Sequence, residues 1–152
     1  MSFTRELELR LPASHESVRI ARRLVRMLAV ACGVSRAQID ELKLVLSELL
    51  GNAVDHGRGG GVMNDADARV TMEFRFAVED ERWTLAVTDH GGAKADDVRD
   101  FLGNDLPDFE NERGRGFFLL EQMLDELSVE DNELGDGLVF HASRRLTSSA
   151  KQ

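Results

Sequence analysis

The stretch Val70-Thr71-Met72-Glu73-Phe74-Arg75-Phe76-Ala77-Val78-Glu79-Asp80-Glu81-Arg82-Trp83-Thr84-Leu85-Ala86-Val87-Thr88-Asp89 decides how this chain folds. Val70, Met72, Phe74, Phe76 and Val78 recur at every second position, and Trp83, Leu85 and Val87 resume the pattern after a charged turn at Glu79 to Arg82. Strand side chains point alternately to opposite faces, so each run reads as a strand with one apolar face. The turn between them is too short for a crossover, so the pair is antiparallel. Asp89 continues the period and falls on the apolar side. A carboxylate placed there is costly without a donor. The alternative is a strand that ends in solvent at an Asp-His-Gly turn.

Upstream, Phe3 to Leu11 reads as another strand, with Phe3, Leu7, Leu9 and Leu11 on one face and Pro12 as its end. Ser14 is placed to cap a helix running to about Cys32, with Val18, Ala21, Val25, Leu28, Ala29 and Cys32 as its apolar face. A second helix follows Gly33. Ser35 and Gln38 form a capping-box pattern, Leu42, Leu46, Leu49 and Ala53 form a narrow stripe, and His56-Gly57 marks the end. The segment from Gly57 to Ala68 reads as a glycine-rich polar loop. Downstream, Gly91 to Arg113 is irregular, with one short helix near Asp96 to Leu102. A helix is expected from Gly116 to Leu127, then strands near Ser128–Glu130 and Leu138–Arg144 around a Gly135-Asp136-Gly137 turn. This order predicts an α/β (α+β) two-layer sandwich, its mixed, mostly antiparallel sheet of about five strands covered on one face by helices.

The chain has 152 residues, which suits one domain, expected over residues 1–146, with a disordered polar tail over 147–152. No apolar run approaches the ~20 residues of a membrane span. The single Cys32 cannot form an internal disulfide, and no apolar signal core follows Met1, so a cytoplasmic location is expected. The net charge of −9 disfavours nucleic acid as a partner. It also means that a phosphate ligand needs local arginines or a divalent ion.

Three short segments carry chemistry. Glu48 and Asn52 lie one helical turn apart, with Asp55 on the same side and His56 close by. A carboxylate and an amide oxygen so placed suit a magnesium ion, with Glu48 able to deprotonate an attacking hydroxyl. A solvated helix face would look the same. Asp89 would accept from an exocyclic amine such as that of adenine, and Gly91 lets the main chain pass close to a flat ring. Gly114-Arg115-Gly116 opens a helix, where free N–H groups bind phosphate, and Arg113 and Arg115 add charge. A flexible hinge is the alternative there. On the first helix, Arg19, Arg22, Arg23 and Arg26 form one basic stripe opposite the apolar face. Such a stripe would dock an acidic partner, or be salt-bridged within the chain.

Taken together, Ser47-Glu48-Leu49-Leu50-Gly51-Asn52-Ala53-Val54-Asp55-His56, Val87-Thr88-Asp89-His90-Gly91-Gly92 and Arg113-Gly114-Arg115-Gly116-Phe117 resemble the N, G1 and G2 boxes of the Bergerat-fold (GHKL) ATPases. Within that superfamily the chain resembles the anti-sigma factor serine kinases, from the first strand to about Arg145. The resemblance implies that ATP or ADP binds with Mg²⁺. It implies that Asn52 holds the ion, Glu48 is the catalytic base and Asp89 reads adenine. Asp55, His56, Gly91, Gly92, Arg113, Gly114, Arg115, Gly116 and Phe117 would flank the nucleotide, under a lid formed by the segment before Gly114. The implied partners are a sigma factor and an anti-anti-sigma (STAS) protein bearing the acceptor serine, and the family resemblance also suggests a homodimer. Two positions depart from the family. Ala93 replaces a second G1 glycine, and Gly135-Asp136-Gly137 stands where a glycine-threonine pair is usual. These departures leave a second expectation open, a nucleotide-binding adaptor without kinase activity.

Overall fold

The computed structural model describes residues 3–56, 70–100, 102 and 112–147, without the side chains of residues 56 and 112–114. The expected loop over 57–68, most of the expected lid, and the tail beyond Thr147 lie outside the described residues. The elements are β1 (Arg5–Pro12), α1 (His15–Ala31), α2 (Arg36–His56), β2 (Thr71–Val78), β3 (Arg82–Thr88), α3 (Ala95–Arg99), α4 (Glu112–Met123), β4 (Glu126–Asp131) and β5 (Leu138–Arg145).

The five strands form one sheet in the order β1-β2-β3-β5-β4. All four pairings are antiparallel, so the expected mixed character is absent among the described strands. Each strand follows its sequence neighbour by a hairpin or pairs across a helical excursion, and no parallel crossover is needed. The register sets Phe74 opposite both Leu9 and Val87, and Phe140 opposite both Val87 and Val129. One face of the sheet therefore carries Met72, Phe74, Phe76, Trp83, Leu85, Val87, Leu138 and Phe140, all buried against the helices. That burial is the main favourable term of folding, at about 1.5–3 kcal/mol for each large side chain.

Ser14 caps α1 as expected, accepting from the Ser17 N–H at 3.2 Å. The capping box of α2 forms by half. The Gln38 N–H donates to Ser35 Oγ at 3.3 Å, but the Gln38 side chain turns away. It donates to the Arg145 carbonyl at 2.9 Å and accepts from the Thr147 N–H at 3.3 Å. Thr147, placed in the tail by the sequence, is thus fastened to α2. The buried face of α2 is wider than a narrow stripe, because Ile39, Val45, Leu50 and Val54 are buried beside Leu42, Leu46, Leu49 and Ala53. This helix packs against α1, α4 and the sheet at once.

Three boundaries differ from expectation. Helix α3 begins at Ala95, because the Ala95 N–H finds Asp131 Oδ1 at 2.8 Å across the fold. Helix α4 spans Glu112–Met123 instead of Gly116–Leu127. Its two glycines cost roughly 1 kcal/mol each as helix formers, but Phe117, Leu120 and Leu124 bury against the core and outweigh them. The far end stops early because Asp125 N–H donates to the Ser143 carbonyl at 3.0 Å and the chain joins β5 as β4. Leu127 keeps an inward position, now on a strand opposite Ala142.

Candidate functional site

Helix α2 brings Ser47, Glu48, Gly51, Asn52 and Asp55 to one wall of a cavity of about 800 Å³. Helix α1 supplies His15, Val18, Arg19 and Arg22, and α4 supplies Arg115, Gly116 and Leu119. The volume falls within the range of small-molecule sites. Three arginines at its walls concentrate positive charge in a chain of net charge −9. The spacing of Glu48, Asn52 and Asp55 on α2 does place them together. Asp55 also meets His15, with Nε2 to Oδ1 at 3.4 Å.

Glu48 makes no hydrogen bond or ion pair among the described residues. Its carboxylate rests against α4, where a Cβ built on Gly116 would lie 2.6 Å from Glu48 Oε2. Glycine at this position leaves the space that the Glu48 carboxylate occupies. Asn52 Nδ2 is buried without a partner among the described residues. A carboxylate and an amide, neither committed elsewhere, form a donor set of the kind a hard divalent cation takes. No group of three or more His, Cys, Asp or Glu side chains is arranged to hold a metal among the described residues. An ion here would rest on Asn52, water and ligand oxygens, which matches the habit of Mg²⁺.

The third segment is placed differently from expectation. The first four N–H groups of a helix lack intrahelical partners. With α4 opening at Glu112, Gly114 stays in that first turn, while Arg115 and Gly116 lie beyond it. Arg115 and Gly116 reach the cavity through its wall, not through a free helix end. Phe117 does not line the cavity. It is fully buried and packs on Phe140 with ring centroids 5.4 Å apart. The side chains of His56 and Arg113 lie outside the described residues.

Asp89 is buried at 5 % exposure, on the apolar side as its period requires. Its Oδ1 accepts from the Gly91 and Leu138 N–H groups, both at 3.2 Å. No described residue donates to Oδ2. Asp89, Gly91 and Gly92 lie at the end of β3 beside the β4–β5 turn and do not line the α1–α2–α4 cavity. Gly137 abuts Asp89 so closely that a Cβ would lie 2.3 Å from the Asp89 carbonyl oxygen. That accounts for the second glycine of the Gly135-Asp136-Gly137 turn.

Sequence reasoning missed the role of His90. Its Nε2 meets Glu73 Oε2 at 2.8 Å and its Nδ1 meets Asp136 Oδ1 at 2.9 Å. Glu73 also meets Arg10 at 3.2 Å. Partial burial would lower the His90 pKa, but the hydrogen bonds to Asp136 and Glu73, with their charges, outweigh it and raise the value. Hydrogen bonds from His90 and Asn132 hold Asp136 below its usual value. Nothing in the sequence near His90 announces Glu73 or Asp136, which arrive from β2 and the β4–β5 turn.

The basic stripe of α1 is exposed, and none of Arg19, Arg22, Arg23 and Arg26 makes an ion pair with a described acid. With Glu16, Ile20 and Lys43 they line a second concavity of about 480 Å³. Arg19 and Arg22 belong to both concavities.

An antiparallel sheet backed by helices, with a paired carboxylate and amide on one helix and a buried aspartate at a strand end, defines a nucleotide-binding ATPase class. The chain belongs to the histidine kinase-like ATPase domain family, whose model matches residues 11–140. It is 30% identical over 131 residues to the serine-protein kinase RsbW of Bacillus pumilus (strain SAFR-032), covering 83% of this chain and 78% of that one. It is 29% identical over 131 residues to the serine-protein kinase RsbW of Bacillus subtilis (strain 168), with the same coverage. Among solved structures, the SiaB-SiaC complex of Pseudomonas aeruginosa matches with a TM-score of 0.67 at 15% identity, over 92% of this chain and 89% of that one. The RsbU and RsbW domains of Rv1364c from Mycobacterium tuberculosis match with a TM-score of 0.63 at 19% identity, over 93% of this chain and 32% of that chain. These two establish likeness of fold. No helix among the described residues is long and apolar enough to cross a membrane.

Proposed function

We propose that the protein is an ATP-dependent protein serine kinase that also acts as an anti-sigma factor, binding a sigma factor and phosphorylating a serine on an anti-anti-sigma (STAS) partner. The observation that carries this reading is the cavity in which Glu48 and Asn52 of α2 face Gly116 and Arg115 of α4. The relatives named as serine-protein kinases support the choice of acceptor.

In this reading ATP is the phosphoryl donor, with adenine at Asp89 and its phosphates toward α2 and the first turn of α4. Asn52 would hold Mg²⁺, which when bound would supply positive charge to offset the phosphates. Glu48, uncommitted and partly exposed, takes the proton of the acceptor hydroxyl. Arg115 adds positive charge where negative charge develops. Arg19, Arg22, Arg23 and Arg26 receive an acidic face of the partner beside the cavity. Glu48→Ala should retain ATP binding and lose phosphoryl transfer. The check is incubation of purified protein and STAS domains with labelled ATP, and unchanged transfer would overturn the base assignment.

A second reading, an adaptor that binds nucleotide and partners without chemistry, is favoured by Ala93 and by the absence of the closing threonine. The same assay separates the two, because an adaptor binds ATP and transfers nothing.

A further inference from the structure

The turn between β4 and β5 meets the end of β3 at Asn132, which is 8% exposed. Every polar group of this residue is engaged. Its Nδ2 donates to the Asp89 carbonyl at 2.9 Å and to Asp136 Oδ1 at 2.7 Å. Its Oδ1 accepts from the Asp136 N–H at 3.1 Å. Its own N–H donates to the Gly137 carbonyl at 2.9 Å, and its carbonyl accepts from the Gly135 N–H at 3.0 Å. The side chain thus ties its own turn together and then reaches across to the main chain of Asp89. On the other side, the Cα of Gly137 presses on the same peptide, leaving no room for a methyl group. A further bond, from Gly92 N–H to the Asp136 carbonyl at 2.7 Å, fixes the loop that follows.

We infer that Asn132 is a positioning residue for purine recognition: it clamps the Asp89 peptide so that Asp89 Oδ2 stays aimed at the 6-amino group of the base. The inference rests on the reading of Asp89 as the adenine acceptor. Asp89 Oδ1 is held by two main-chain donors, and the direction of Oδ2 then depends on where the Asp89 peptide sits. Leu138 secures the preceding Thr88–Asp89 peptide along the ladder, through the Asp89 N–H to Leu138 carbonyl bond at 2.9 Å. The carbonyl side is secured by Asn132, the donor the structure shows there. A carboxylate displaced by an ångström loses a directional hydrogen bond, but van der Waals contact with the ring is little changed. Loss of Asn132 should therefore weaken recognition of the amino group selectively.

The test compares the full chain with Asn132→Ala by calorimetric titration of Mg-ATP and of Mg-purine riboside triphosphate, which lacks the 6-amino group. The natural protein should prefer ATP. In Asn132→Ala, affinity for ATP should fall about tenfold while affinity for the amino-free nucleotide changes less than about twofold. Asn132→Ser, which is shorter but keeps a hydroxyl donor, is read in the same way should the alanine variant fail to fold. Equal losses for both nucleotides would mark Asn132 as a general structural residue and overturn the inference, as would an unchanged preference. Natural protein that binds both nucleotides equally would overturn the reading of Asp89 as well, and natural protein that binds neither would overturn the nucleotide reading with it.

Discussion

Gly116 of α4 and Glu48 of α2 face each other with no room for a further carbon between them. A methyl group at position 116 would lie 2.6 Å from Glu48 Oε2 and 3.5 Å from Cδ. The atom that must yield is the end of a flexible side chain, so Gly116→Ala should fold normally and displace the carboxylate. Misplacing a catalytic group by an ångström costs on the order of 10²-fold in rate. Phosphoryl transfer in Gly116→Ala should fall on that scale, with ATP affinity retained, as single-turnover kinetics and calorimetry would show. At the same scale, His90 sits between Glu73 and Asp136, with Arg10 also facing Glu73. Its pKa is raised above 6.5 in the folded protein. The stability it contributes is complete below about pH 6.5 and is lost as pH rises through the raised value. The lowered pKa of Asp136 acts at the acid end, giving stability above 3.8 that is lost as pH falls through the folded value. The melting temperature should therefore decline as pH rises above about 6.5 through the raised value, and His90→Gln should flatten that decline. Parallel pH profiles for the two proteins would refute the role. Glu48, Asn52 and Asp55 were legible because helical spacing alone puts them on one side. The partners of His90 and Asp89 were not, since they come from turns and strands far away in sequence.

Among the elements, α2 carries the most. Its outer side builds the cavity wall and its buried side joins three neighbours, while Gln38 near its start bonds to the end of β5. Gln38→Ala would strand the Arg145 carbonyl and the Thr147 N–H at a partly buried junction. It should cost about 1–2 kcal/mol of stability by chemical denaturation, without altering nucleotide affinity. The capping-box pattern located the start of α2 correctly and misassigned the Gln38 side chain, because the competing partners arrive from the far end of the chain. Helix α4 shows the complementary case. Its glycines read as a boundary, and the helix runs through them because Phe117 and Leu120 bury against the core, while the missing side chain at position 116 leaves room for the Glu48 carboxylate. The strands were the most legible elements, since period two survives wherever one face of a sheet is buried.

For the molecule as a whole, charge is distributed unevenly. A net charge of −9 coexists with four arginines on one helix, on the side away from the sheet, none of which forms an ion pair among the described residues. Such a patch steers association more than it deepens affinity. Arg23→Glu should slow association with an acidic partner about tenfold at low salt, and the difference should shrink as ionic strength rises, by stopped-flow measurement. The two-layer architecture and its strand count were legible from periodicity, and so was the basic stripe. The sharing of two arginines by adjacent hollows was not, because it depends on how α1 lies across α2.

That shared wall at Arg19 and Arg22 has a thermodynamic corollary. Two guests that draw on the same guanidinium groups cannot be accommodated as strangers, since each arrival alters the field the other encounters. Linkage makes the influence mutual and equal in size: the factor by which one guest tightens or loosens its neighbour's grip is returned unchanged.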